Sequence, residues 1–130
     1  MDPAETKPLI LIAEDDPALL EMYGRKLELS GFKVIKAHNG AEAVEFARAQ
    51  KPVLILMDFK MPVMDGVEAV MQLKASPETA SIKVVFLTAY GDSNVPDIDP
   101  RYAQELGATA FFQKGIELDK LIDKIHEFIK

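Results

Sequence analysis

Apolar residues in this chain gather into short runs that alternate with helical stripes, and the alternation recurs five times. The runs are residues 9–13 (LILIA), 53–57 (VLILM), 82–87 (IKVVFL) and 108–112 (ATAFF), and residues 32–37 (FKVIKA), broken by two lysines, are a further strand candidate, the second in chain order. A run of this length without polar alternation marks a strand covered on both faces, as in a parallel sheet flanked by helices. Between the runs the period changes. Leu20, Tyr23 and Leu27 make an inward stripe that Ser30-Gly31 ends, and Asp16-Pro17 supplies its start, with Asp as N-cap and proline in the first turn. A turn at Asn39-Gly40 precedes a second stripe through Ala41, Ala43, Val44 and Ala47, and Lys51-Pro52 breaks it. Pro62 and Asp65-Gly66 mark a loop, after which Val67, Val70 and Met71 begin a helix over about 66–74 that ends near Ser76-Pro77. The last stripe, Leu118, Leu121, Ile122, Ile125, Phe128 and Ile129, has the i, i+3, i+4, i+7 spacing of an amphipathic helix.

Strand followed by helix, five times over with mostly short connections, predicts an α/β fold. The expected form is a doubly wound, five-stranded parallel sheet with right-handed crossovers and helices on both faces. Between the fourth and fifth runs the signals are weaker. Asp99-Pro100 repeats the helix-start signal and Gly107 supplies a stop, so a short helix over roughly 100–106 is expected after an extended loop bearing Pro96. Residues 1–8 carry two prolines and no periodic pattern, and read as a disordered lead-in to one domain over 9–130 with no output domain.

Composition narrows the function without choosing it. With 130 residues the chain is long enough to bury a core, and 48% hydrophobic with 28% charged is ordinary for a globular protein. The net charge of −6 argues against direct contact with nucleic acid or an anionic membrane. There is no cysteine, hence no disulfide or thiol chemistry. No apolar run approaches a membrane span and no signal peptide is visible, so a cytoplasmic location is expected. His38 and His126 lack the spacing of a metal pair and read as solvated; the methionines read as core filler and loop anchors.

The chemistry lies where the runs end. Glu14 and Asp15 follow the first, Asp58 follows the third, Thr88 the fourth and Lys114 the fifth. In a parallel sheet all carboxyl ends share one edge, which is where open α/β sheets place their ligand sites. Three carboxylates with nearby carbonyls form a hard, oxygen-only site suited to Mg²⁺ or Mn²⁺. A lysine and a hydroxyl beside them suit phosphoryl oxygens, and a carboxylate such as Asp58 can act as nucleophile in aspartyl-phosphate chemistry. Asp16 is already explained as a helix cap, which leaves Glu14 and Asp15 as the unexplained acids. Two other uses of the fold fit less well. A phosphohydrolase working through an aspartyl phosphate wants D-x-D at the nucleophile, and Asp58-Phe59-Lys60 lacks the second acid. A flavodoxin-type nucleotide site needs phosphate-cradling donors after the first strand, where Glu14-Asp15-Asp16 would repel a phosphate.

The motifs ILIAEDDP, MDFKMPVMDG, FLTA and FQKG, in this order and spacing, resemble the receiver domain of two-component response regulators over nearly the whole chain. The resemblance implies a flavodoxin-like (βα)5 fold with strand order 2-1-3-4-5. It also implies a signalling module rather than an enzyme with an external substrate. Its partners would be a sensor histidine kinase or histidine phosphotransfer protein and a downstream protein target. Asp58 matches the aspartate that accepts a phosphoryl group, with Mg²⁺ or Mn²⁺ required. Asp15 matches a direct metal ligand, Glu14 one acting through water, and the backbone carbonyl of Lys60 the third protein ligand. Thr88 matches the hydroxyl that binds the phosphoryl group, Ala89 its small neighbour, and Lys114 the lysine that pairs with a phosphoryl oxygen. Phe111 stands at the aromatic switch, usually tyrosine. Gly115 stands where the family has proline after a cis peptide, a bond that costs about 2.5–4 kcal/mol before any other residue, so the sequence leaves the geometry of the Lys114-Gly115 peptide open. The segment from Thr88 to Lys114 is longer than usual, and its loop over 91–98 is expected to respond to phosphorylation.

Overall fold

The computed structural model of the chain describes residues 7–58, 61–88, 105, 107–113 and 118–129. Its strands are β1 (Leu9–Ala13), β2 (Lys33–Ala37), β3 (Leu54–Asp58), β4 (Lys83–Thr88) and β5 (Ala110–Gln113). The helices among the described residues are α1 (Pro17–Leu29), α2 (Gly40–Gln50), α3 (Gly66–Ala75) and α4 (Leu118–Phe128). All five strands are parallel and lie in the order β2-β1-β3-β4-β5, as the resemblance implies. β3, the middle strand, is buried at every position.

Side chains alternate between two cores, as the period of two in a strand requires. On one face Leu11, Ile55, Met57, Val84 and Phe86 meet Ala43, Val44 and Ala47 of α2 and Ala69, Val70 and Leu73 of α3. On the other, Ile10, Ile12, Leu54, Leu56, Val85 and Leu87 meet Leu20, Tyr23 and Leu27 of α1 and Leu121, Ile122 and Ile125 of α4. The sheet is therefore covered on both sides, which is why its inner strands β1 and β3 read as unbroken apolar runs, while the edge strand β2 carries lysines.

Two residues depart from the apolar pattern and a third from the strand bounds read from it. Met71, expected on the inner stripe of α3, is 65% exposed, because Gly66, Ala69, Val70 and Leu73 supply the buried face. Val53, counted with the central run, precedes β3 and is 45% exposed. Phe32 is buried, as expected, but lies just before β2 begins. At the amino end, the Pro8 carbonyl accepts the Lys33 amide at 2.9 Å and extends the β1–β2 ladder by one step. The expected helix over 100–106 and the loop over 91–98 fall on residues outside those described, apart from Glu105.

The helix starts show why the chain turns where it does. Asp16 accepts the amides of Ala18 at 2.9 Å and Leu19 at 3.3 Å, with Pro17 in the first turn. Asn39 accepts the Glu42 amide at 2.9 Å, and Asp65 accepts the Glu68 amide at 2.8 Å. What looked like turn signals at Asn39-Gly40 and Asp65-Gly66 are thus N-caps joined directly to their helices.

Candidate phosphoryl-transfer site

β1 and β3 are adjacent in the sheet and in register, Ala13 opposite Met57. The residue after each pair is acidic, so Glu14 and Asp58 emerge side by side at the carboxyl edge. Glu14 continues the ladder for one more step, its amide donating to the Ala37 carbonyl of β2 at 3.0 Å. That bond holds Glu14 inside the fold, where it is 0% exposed. Asp58 is 4% exposed, while Asp15 stands in the open. The Asp15 amide donates to Oε2 of Glu14 at 3.1 Å, which turns the Glu14 carboxylate back over the strand end.

Glu14, Asp15 and Asp58 each offer a carboxylate oxygen, and the three atoms lie within 4.8 Å of one another. Carboxylates this close repel, and a hard divalent cation is the natural ligand for such a set. The donors are oxygen only, which fits Mg²⁺ or Mn²⁺ rather than a softer ion.

Gly66 was read as loop punctuation, but it is a spacing element of the site. A Cβ there would lie 2.5 Å from the Asp58 carbonyl oxygen, 2.9 Å from Cε1 of Phe86 and 3.1 Å from Cγ of Met57. Only glycine lets α3 begin this close to the end of β3. Gly40 fixes the other side of the β3–α3 loop: its amide donates to the Met64 carbonyl at 3.0 Å, and a Cβ would sit 2.3 Å from that oxygen. Within the same loop the Met64 amide donates to the Pro62 carbonyl at 2.7 Å across Val63, whose φ is 68°. That is a γ-turn, with a β-branched residue in a conformation that L side chains rarely adopt.

The other predicted residues are placed less fully. Thr88 ends β4, one step beyond the Asp58–Leu87 pair and opposite Gln113. Its backbone therefore reaches the edge that holds the acids. Phe111 lies in β5, buried, with its ring 5.0 Å from that of Phe86. Lys60, Ala89, Lys114 and Gly115 lie outside the described residues. Both histidines are exposed, as expected, and each has a neighbour that spacing did not reveal. His38 Nδ1 lies 3.0 Å from Glu42, and the His126 ring lies 5.0 Å from Phe32.

A sheet of order 2-1-3-4-5 with an acidic cluster on the edge where its strands end defines a class of α/β proteins. Comparison with known proteins makes it specific. The profile described as response regulator receiver domain matches residues 10–126, and the chain belongs to that family, the receiver domains of two-component response regulators. The polar-differentiation response regulator DivK of Brucella anthropi is 30% identical over 92% of this chain and 94% of its own length. Sporulation initiation phosphotransferase F of Bacillus subtilis is 29% identical over 92% of each chain. Among solved structures, a putative response regulator from Chloroflexus aurantiacus superposes with a TM-score of 0.85 at 25% identity, covering 95% of this chain and 98% of that one. The receiver domain of a Pseudomonas aeruginosa sensor histidine kinase has a magnesium ion coordinated in its active site cleft. It superposes with a TM-score of 0.83 at 25% identity, again over 95% and 98% of the two chains. Among the described residues no helix is long and apolar enough to cross a membrane.

Proposed function

We propose that Asp58 accepts a phosphoryl group from a phosphohistidine and that the charged domain alters contact with a protein partner. The observation that carries this reading is the convergence of Glu14, Asp15 and Asp58 at one end of the sheet. In the step itself a carboxylate oxygen of Asp58 forms a bond to phosphorus as the N–P bond of the donor breaks. The bonding pair leaves with the imidazole, and the product is an acyl phosphate on Asp58. Mg²⁺ or Mn²⁺, when bound, neutralises charge on the phosphoryl oxygens. Asp15 and Asp58, with the Lys60 carbonyl, would hold the ion directly, and Glu14 would act through water. Thr88 donates its hydroxyl to one phosphoryl oxygen and Lys114 pairs with another. Ala89, having no bulk, leaves the group room. Lys114 acts on charge that moves onto the transferring oxygens.

The donor is a sensor histidine kinase or a histidine phosphotransfer protein. Passing the group onward, as a phosphorelay intermediate, is favoured as a second reading by the likeness to a relative named as a phosphotransferase. Transfer from the phosphorylated chain to a purified histidine phosphotransfer domain separates the two readings. The primary test is intact-mass analysis after incubation with acetyl phosphate. Wild type gains one phosphoryl group only when Mg²⁺ or Mn²⁺ is present, and Asp58→Asn gains none. Equal labelling of both proteins would contradict the assignment of the nucleophile.

A further inference from the structure

β2 is one edge of the sheet, paired to β1 alone among the described residues. The Lys33 amide donates to the Pro8 carbonyl at 2.9 Å, and the Ala37 carbonyl accepts the Glu14 amide at 3.0 Å, so alternate residues from Lys33 to Ala37 face β1. Val34 and Lys36 therefore turn their N–H and C=O groups outward, as a strand's period of two requires. Such a row is a template for a further strand, and edge strands are often blunted by lysine side chains standing over it. Lys36 does not stand there. Its ammonium donates to Oε2 of Glu21 on α1 at 2.8 Å, and its stem lies over Gly24, where a Cβ would fall 2.6 Å from Cε. Glycine inside a helix costs about 1 kcal/mol relative to alanine. Here it lets the lysine fold back onto α1 and leave the edge clear.

The amino half of the same edge opens into a groove of about 600 Å³. Its lining brings together Glu28 at the end of α1, Gln50 at the end of α2, half-buried Val34 and Ile35, and exposed Lys7 and Lys33. Among the described residues neither of these lysines has an ion-pair partner. Two lysines against one glutamate make the groove locally positive in a chain whose net charge is −6. A second copy is a poor occupant. Two such edges would bring Lys33 and Lys36 of both strands onto one seam, and like charges opposite one another destabilise a strand pair. An acidic strand has the complementary sign.

We propose that the free edge of β2 is a docking site for an extended acidic segment of a partner protein, which adds to the sheet as a further strand. Its backbone bonds to the outward groups of Val34 and Lys36, its carboxylates face Lys7 and Lys33, and its apolar side chains cover Val34 and Ile35. In strand addition the main-chain bonds supply affinity and the side chains supply selectivity. β1 stands between β2 and β3, so docking there leaves Asp58 accessible and does not depend on its role.

Amide exchange followed by NMR tests this with a synthetic peptide of alternating glutamate and valine, about eight residues long, and a lysine–valine peptide as its counterpart. With the acidic peptide at about ten times its Kd, exchange of the Val34 and Lys36 amides should slow about tenfold, because the bound form protects them. The Lys33 and Ile35 amides, already turned to β1, should change little. Lys7→Glu and Lys33→Glu should each weaken binding about threefold or more, and raising salt from about 0.05 M to about 0.5 M should weaken it in the wild type. Val34→Pro removes an outward N–H, a change edge strands tolerate, and should abolish binding while the protein stays folded. Should that variant not fold, the exchange pattern of the wild type decides. No binding of the acidic peptide at about 1 mM overturns the inference. So does equal binding of the lysine–valine peptide, protection that spares Val34 and Lys36, or full binding by a folded Val34→Pro. Protection of the same two amides that rises with protein concentration in the absence of peptide would give the edge to a second copy, and would overturn it too.

Discussion

Asp15 and Asp16 are neighbours with different work, and the contrast makes a sharp prediction. Asp16 caps α1 through two amides, whereas Asp15 sits with Glu14 and Asp58 in the acidic cluster. Asp15→Asn should lower Mg²⁺ affinity by tenfold or more, about 1.4 kcal/mol, with little change in melting temperature. Asp16→Asn should leave both nearly unchanged because asparagine also caps, and Asp16→Ala should cost about 1 kcal/mol of stability. Calorimetric metal titration and thermal melts measure the two effects separately, and the reverse order would mean the acidic motif is shifted by one residue. Gly66 is held tightly where α3 begins. Its neighbour at 2.5 Å is a backbone oxygen in the central strand, which cannot rotate away as a side chain can. Gly66→Ala should therefore destabilise the fold by about 1–3 kcal/mol despite the better helix propensity of alanine. It should weaken Mg²⁺ binding too, because the displaced peptide is that of Asp58. The acids were legible in the sequence because three charges at strand ends have few structural excuses. The demand on Gly66 was not, because it comes from a helix and a strand meeting in space.

At the scale of elements, the helix starts show how local chemistry sets boundaries. Asn39 and Glu42 satisfy amides at the start of α2: Asn39 accepts from Glu42, and Glu42 accepts the His38 amide at 2.7 Å. That backbone hydrogen bond, with the side-chain bond to His38, holds the Glu42 carboxyl below its ordinary 4.5. A carboxyl whose folded value is depressed binds fewer protons than in the unfolded chain. Its stabilisation is present above the unfolded value and is lost as pH falls through the folded one. Wild type should therefore exceed Glu42→Gln in stability at pH 7 by about 0.3–1 kcal/mol, a surface charge near a helix start. The gap should close as the pH falls below about 4.5. Urea melts of both proteins from pH 7 to pH 3 measure it; a gap that stays constant would assign the effect to shape rather than charge. The apolar period located every described helix to within a residue or two. It failed at Met71, since a stripe fixes which direction is inward only when neighbours are known. On α3 the two adjoining bodies, the sheet and α2, meet the Gly66–Ala69–Val70–Leu73 side.

Over the whole molecule, the run-and-stripe alternation was enough for a parallel α/β sheet, because both faces of every central strand are covered. Strand order was not in the period; it came with the motifs, and the sheet has it. The stacking of Phe111 on Phe86 was also out of reach, since β4 and β5 are joined only by their register in the folded sheet. What the fold accomplishes is to bring Glu14, Asp15 and Asp58 together from two strands 40-odd residues apart in sequence. Of these three acids, Asp58 is the one expected to become an acyl phosphate. Borohydride reduction of the acetyl phosphate-treated protein, followed by peptide mass mapping, tests it most directly, because an acyl phosphate is reduced to an alcohol where it stands. The expected result is a single reduced site at residue 58, present only when Mg²⁺ or Mn²⁺ was supplied. Reduction at Glu14 or Asp15, or at residue 58 without metal, would contradict it.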